Sequence, residues 1–135
     1  MVSTDRPARR TDKLARGMAL SLAGMGALHF VAPKPFDSIV PPNLPFGLTP
    51  RRATQLSGVA ELTTAGLLAA PRTRRLGGVA ATALFVAVFP ANVHMARQWS
   101  DKPLPLKLGS YARLPMQLPM IVSAVRIARD SGERS

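Results

Sequence analysis

Leu76–Ala96, LGGVAATALFVAVFPANVHMA, runs for 21 residues without an Asp, Glu, Lys or Arg and lies between Arg75 and Arg97. A charge-free stretch of that length with basic flanks is what a helix needs to cross a bilayer core. A soluble helix as long would offer water a polar face, and this one has none. Three further segments repeat the pattern. Gly17–Pro33 carries no Asp, Glu, Lys or Arg, and Ala53–Pro71 carries one charge, Glu61. Leu114–Val125 is apolar but short, so it spans only if Arg126 and Arg129 snorkel toward the interface. The expected fold is all-α: a four-helix transmembrane bundle with multi-pass spans at about 14–33, 53–71, 76–96 and 114–129. A soluble four-helix protein is the rival, since mean hydropathy is only slightly positive. It would be left with little charged surface to show water.

The net charge of +11 would ordinarily raise nucleic acid as a partner. Its distribution argues instead for a bilayer. Arg6, Arg9, Arg10, Lys13 and Arg16 precede the first span; Arg72, Arg74 and Arg75 fill the turn after the second; Arg126, Arg129 and Arg134 close the chain. In a four-span chain these share one side and hold 11 of the 18 basic residues. Retention of positive residues in the cytoplasm places both termini there, with the basic ends against anionic headgroups. There is no cysteine, which excludes thiol nucleophiles, iron–sulfur clusters and thiolate zinc sites within this chain. A basic stretch before an apolar one also suits a signal peptide. No small-x-small cleavage site follows Phe30, however, and Arg9-Arg10 lacks the apolar sequel of a twin-arginine signal. The first span is expected to be retained.

Around the spans, residues 1–12 form a basic tail expected to be disordered, 13–129 a single membrane domain and 130–135 a polar tail. Residues 33–50 hold six of the thirteen prolines, too many for a continuous helix. With Phe36, Ile39, Val40, Leu44 and Phe46 they read as an extracytoplasmic loop folded over the bundle mouth. Residues 100–113 read as a second outer loop, with Trp99 and Tyr111 at interfacial positions. Small residues mark the helix contacts: Gly17, Ser21 and Gly24 on the first span, and Thr54, Ser57, Gly58, Glu61, Thr64 and Ala65 on the second.

Glu61 is the residue that most needs a reason. Eight residues past Ala53 it lies roughly 12 Å deep, where a carboxylate costs several kcal/mol unless protonated, paired or hydrated. His29, Asn92, His94 and Gln117 fall in the same outward half, with Gln55 and Ser57 on the same span. The candidate site is therefore a polar pocket of His29, Glu61, Asn92, His94 and Gln117 below the proline-rich loop. Each member also has a plain structural use. Glu61 could bond a helix neighbour, the histidines could sit at the interface, and Asn92 or Gln117 could satisfy carbonyls that Pro90, Pro115 and Pro119 leave free. Asn92 and His94 diverge by about 200° on an ideal helix, so only a kink at Pro90 could aim both inward. A haem held between His29 and His94 is the weaker cofactor reading. A quinone between helices, held by His29, Glu61 or Gln117, needs no ligand motif. No metal-spacing cluster, phosphate-binding glycine loop or catalytic triad is readable.

His29-Phe30, Phe36-Asp37-Ser38-Ile39-Val40-Pro41 and Ser57-Gly58-Val59-Ala60-Glu61-Leu62 together resemble the DoxX-like family of small membrane proteins. So do Thr73-Arg74-Arg75, Phe89-Pro90-Ala91-Asn92-Val93-His94-Met95 and Arg113-Leu114-Pro115-Met116-Gln117, and the resemblance covers about residues 14–129. It implies a four-helix multi-pass protein of the bacterial cytoplasmic membrane, some relatives being subunits of quinone-linked oxidoreductases. The expected function is an accessory or scaffolding subunit with a polar pocket at Glu61 and no catalysis of its own. The alternatives are a quinone-binding subunit of an oxidoreductase and a small-molecule or proton conductor titrating at Glu61. The expected partners are the lipid bilayer and other membrane or oxidoreductase subunits, not nucleic acid.

Overall fold

A computed structural model describes residues 5–132. Among them are five α-helices and no strand: α1 Asp5–Val31, α2 Pro33–Ile39, α3 Pro50–Ala69, α4 Arg74–Gln98 and α5 Leu104–Gly132. Two helical stretches, Arg6–Val31 and Pro71–Gln98, are long and apolar enough to cross a membrane.

Proline sets most of the boundaries. Ala32 precedes Pro33 and is pushed out of the helical region to φ −135°, so α1 stops and α2 restarts at once as a broken continuation. α3 begins at Pro50, whose missing N–H costs nothing at a first helical position, and the Thr49 hydroxyl accepts the Arg52 N–H at 3.2 Å. α3 ends because Ala70 precedes Pro71 and turns extended. Its last four carbonyls then all find donors. Ala70 N serves Gly66, the Thr73 hydroxyl serves Leu67, Arg74 Nε serves Leu68 and the Arg74 fork reaches Ala69. The turn between α2 and α3 holds Phe46 and Gly47 at positive φ, with Phe46 almost wholly exposed.

The long helices form a ring in the order α1, α3, α4, α5. The α1–α3 and α4–α5 pairs are the most extensive, while α1 and α5 make the thinnest seam. Close approach depends on glycine. A Cβ at Gly58 would lie 2.9 Å from the His29 Cβ of α1; one at Gly77 would lie 2.7 Å from Leu68 N of α3; one at Gly78 would lie 2.6 Å from Ala128 N of α5. The core sits toward the end where α1 begins, built from Ala15, Ala19, Leu22, Leu68, Ala81, Phe85, Ala124 and Ile127. That end is tied by Thr11 Oγ1 to Asp130 Oδ2 and by Arg74 Nη1 to Asp12 Oδ1, each at 2.7 Å.

Four expectations change. Residues 5–12, expected to be a disordered tail, are the first turns of α1, held by the Thr11 and Asp12 bonds; residues 1–4 lie outside the described residues. Residues 104–113 are helical, not loop. Pro103 O accepts from Leu106 N and Lys107 N, so the first turn closes on it and the helix runs on to Gly132. The start of the C-terminal tail is likewise helical to Gly132, and 133–135 lie outside the described residues. Finally, the contact stripe on α1 is not Gly17, Ser21 and Gly24. A Cβ on either glycine would meet nothing within 4 Å, and the packed face is Ala15, Ala19, Leu22, Gly26 and His29. The stripe on α3 does match, with Thr54, Gly58, Glu61, Thr64 and Ala65 buried.

Candidate functional site

A half-open cavity of about 610 Å³ lies between α1, α3, α4 and α5, open along the exposed α1 and α5 residues Gly17, Ser21, Met116 and Met120 and roofed by Phe36, Ile39 and Val40 of α2 and the turn after it. Most of its wall is apolar. From Lys13 to His29 it follows α1 for about 24 Å. Polar groups gather toward the roofed end.

His29, in the last turn of α1, is buried and stacks on Phe36 with ring centroids 3.8 Å apart. Its Nδ1 is 2.7 Å from the Met25 carbonyl and 3.0 Å from Glu61 Oε2. A carbonyl only accepts, so Nδ1 carries the ring proton and gives it to Met25. The carboxylate is therefore a close neighbour without a well-directed hydrogen bond, and Glu61 Oε2 stays buried with no donor among the described residues. Gln117 comes from α5, where Pro115 and Pro119 bracket it. Its Nε2 donates at 3.2 Å to the Phe85 carbonyl of α4, one residue before the carbonyl that Pro90 leaves free. Gln117 Oε1 is left buried and unpartnered, as is the Thr54 hydroxyl. Asn92 is buried on the wall and makes no side-chain hydrogen bond among the described residues, so it is not the group that satisfies the Pro90 gap.

Of the five expected site residues, His29, Glu61, Asn92 and Gln117 line this one cavity. His94 does not; it is half-buried on the other side of α4, as the angular offset from Asn92 requires. A haem ligated by His29 and His94 does not fit, because the two rings do not share a cavity. Among the described residues no three His, Cys, Asp or Glu side chains group to hold a metal ion. Arg113, not expected at the site, also lines the cavity, as do Thr54 and Phe36, which the sequence places in the α3 contact stripe and in the covering loop. Thr54 lies seven residues before Glu61, two helical turns along the same face of α3, which is why one stripe carries both.

Above the cavity, Arg51 Nε binds Asp37 Oδ2 at 2.7 Å and joins α2 to α3. The Thr54 hydroxyl beside Asp37, then Arg51, hold this carboxyl below its ordinary range, against the opposing effect of burial. Thr54 Oγ1 and Asp37 Oδ1 are adjacent in that sense but do not meet in a well-formed hydrogen bond.

Residues 18–128 match the family described as Domain of unknown function (DUF8561). The chain belongs to that family. The resemblance to DoxX-like proteins is thereby corrected, since the family match falls to DUF8561 and not to DoxX. Short strings such as Ser57–Leu62 and Phe89–Met95 combine small, apolar and proline residues, which closely packed apolar helices call for whatever their ancestry. The DUF8561 match takes in all four cavity-lining candidates, from His29 to Gln117. No curated protein and no solved structure matches the chain.

Proposed function

We propose that this DUF8561 protein is a four-span membrane protein whose cavity binds a membrane-borne amphiphile, an apolar tail with a small polar head. It acts as a binding or accessory subunit and not as a catalyst alone. The single observation carrying this reading is the cavity: apolar along most of its length, with buried, unpartnered polar atoms of Thr54, Glu61 and Gln117 at one end. A volume of about 610 Å³ falls within the usual range for small-molecule sites. Buried polar groups left without partners are costly, and the Asn92 amide on the same wall, with no side-chain hydrogen bond among the described residues, is one that a bound head group would meet.

The membrane placement is supported by how little of the apolar surface is covered. In each of the two longest apolar stretches only 28% of the most apolar window is buried, where a soluble core helix would be mostly buried. Leu20, Val31, Leu56, Leu76, Val86 and Leu118 all face outward. The seam between α1 and α5, the thinnest of the ring, gives the amphiphile a sideways route from the bilayer. With α3 and α5 also spanning, the basic end that carries Arg6, Arg9, Arg10 and Arg75 faces the cytoplasm. A quinone-type ring on an isoprenoid tail is one ligand of this class.

The test is purification of the full chain in mild detergent, followed by mass spectrometry of the small molecules retained. Wild type should hold an amphiphile at near one-to-one ratio. Gly17→Leu, which fills the cavity from a position with nothing within 4 Å, should lose it while remaining folded. Folded wild type without any stoichiometric amphiphile would sink the reading.

A further inference from the structure

Two donor groups near the roofed end are left open to the cavity, and they stand close together. Asn92 of α4 is more than nine-tenths buried, lines the cavity and makes no side-chain hydrogen bond among the described residues. Its amide is not sealed in as Gln117 Oε1, Thr54 Oγ1 and Glu61 Oε2 are, so its NH2 is free to donate to whatever enters. Arg113 of α5 stands exposed on the cavity rim, one turn before Gln117. Among the described residues no carboxylate pairs with it, and Nη1 donates to Met95 Sδ at 3.9 Å, a weak acceptor. Met95 lies three residues beyond Asn92 on α4, a spacing that sets side chains about 5–6 Å apart on one face, so the guanidinium comes within a turn of the amide. Of the nearby carboxyls, Asp37 is held by Arg51, and Glu61 lies against His29 with its Oε2 closed off. Lys13 is also on the wall, but at the far end, roughly 24 Å along α1 from His29.

We propose that the cavity takes a membrane lipid with an oxyanion head, a phosphate or carboxylate, seated on Arg113 and Asn92 with its tail along the opening between α1 and α5. A guanidinium fork meets two oxygens of such a head at once, and the Asn92 amide adds a further donor from the neighbouring helix. Exposed Gly17, Ser21, Met116 and Met120 edge the opening, so the tail lies partly in the groove and partly in the bilayer. In the four-span placement Arg113 stands at headgroup depth, and the head reaches it without crossing the hydrocarbon core. The carbonyls of a quinone would draw less from the same donors, because they carry no charge. The inference rests on the cavity reading above but can fail separately from it.

The test uses the full chain in phosphatidylcholine nanodiscs, with protein-free nanodiscs subtracted, and three probes of equal tail length: decyl phosphate, decylbenzoquinone and decylammonium. Decyl phosphate should bind about tenfold tighter than either of the others, as a charge-assisted hydrogen bond at a half-dry site allows. Arg113→Gln should weaken decyl phosphate by about tenfold and move decylbenzoquinone by less than about threefold. Asn92→Leu should also weaken decyl phosphate, yet leave the unfolding temperature no lower, since the amide it removes has no partner to lose. If that variant fails to fold, Arg113→Gln, at an exposed position, still decides. Lys13→Gln should leave decyl phosphate unchanged; loss there, with Arg113→Gln unaffected, would put the head at the other end and overturn the inference. Equal affinities for the three probes, or tightest binding of decylbenzoquinone or decylammonium, would overturn it and leave the cavity reading standing. Inorganic phosphate that displaces decyl phosphate at equal concentration would overturn it too, by making this a site for free anions. Binding of none of the three by folded protein would bring down both.

Discussion

Glu61 and Arg74 show how differently two buried charged groups can be used in one small chain. Arg74 is fully committed: two carbonyls at the end of α3 and the Asp12 carboxylate occupy its fork. Arg74→Ala should therefore destabilise the protein by about 2–4 kcal/mol, and Arg74→Lys should recover little, since a point ammonium cannot reach three acceptors in a plane. Thermal unfolding in detergent checks both. Glu61 is under-committed, with an oxygen that nothing donates to. Glu61→Ala should accordingly be tolerated better than Glu61→Lys, which places an ammonium beside His29 with no anion to meet it. Comparable losses of folded protein for the two variants would contradict this. Asp37 supplies the pH dependence. Its carboxyl is held below its ordinary value of 3.8, so its contribution is complete above that pH and lost as the pH falls through the lower, folded value. Attachment of α2 should loosen in that acidic window alone, and Asp37→Asn should abolish the difference. Hydrogen exchange of α2 amides reads it, with a small amplitude because Arg51 is half exposed.

At the level of elements, packing turns on a few glycines and not on glycine content. Gly77 and Gly78 face backbone atoms of neighbouring helices within 3 Å of where a Cβ would stand, whereas Gly24 faces open space. Backbone cannot swing aside as a side chain can, so Gly78→Ala should cost about 1–3 kcal/mol. Gly24→Ala should gain up to about 1 kcal/mol from helix propensity. A matched pair of unfolding curves decides, and equal effects would mean that the close contact of α4 with α5 is not needed. The prolines work in the opposite sense, as organisers. Pro33 breaks α1 from α2 and so brings Phe36 over His29, while Pro90 and the pair Pro115 and Pro119 lie on the two helices joined by the Gln117–Phe85 bond.

For the whole molecule, polarity is arranged along the ring axis: a packed core, an ion pair and a Thr11–Asp130 hydrogen bond at one end, a roofed polar cavity toward the other. The proposed topology puts these ends on opposite sides of a membrane. A cysteine-reactive, impermeant reagent should label Ser38→Cys from outside in intact cells and Arg10→Cys only after permeabilisation. Labelling of Ser38→Cys only from the cytoplasmic side would invert the topology and move the roofed cavity to the other face.

Residue order alone determined the helical class and the boundaries of the middle helices, because hydropathy and proline are local: a run such as Leu76–Ala96 has one compatible element, and Ala70-Pro71 can only end a helix. It also singled out His29, Glu61, Asn92 and Gln117, since polar groups in apolar runs are conspicuous without any fold. It misjudged the helical starts at residues 5 and 104, where charge and proline suggested irregular chain and the partners were distant: Asp130 for Thr11, Arg74 for Asp12. The angular offset of His94 from Asn92 was legible in the sequence, but only the tertiary structure assigned Arg74 to carbonyl capping and showed which atom of each polar side chain is left over. Those outcomes depend on where another element places a polar atom, and no sequence spacing encodes the position of Phe85 O relative to Gln117 or of Asp12 relative to Arg74.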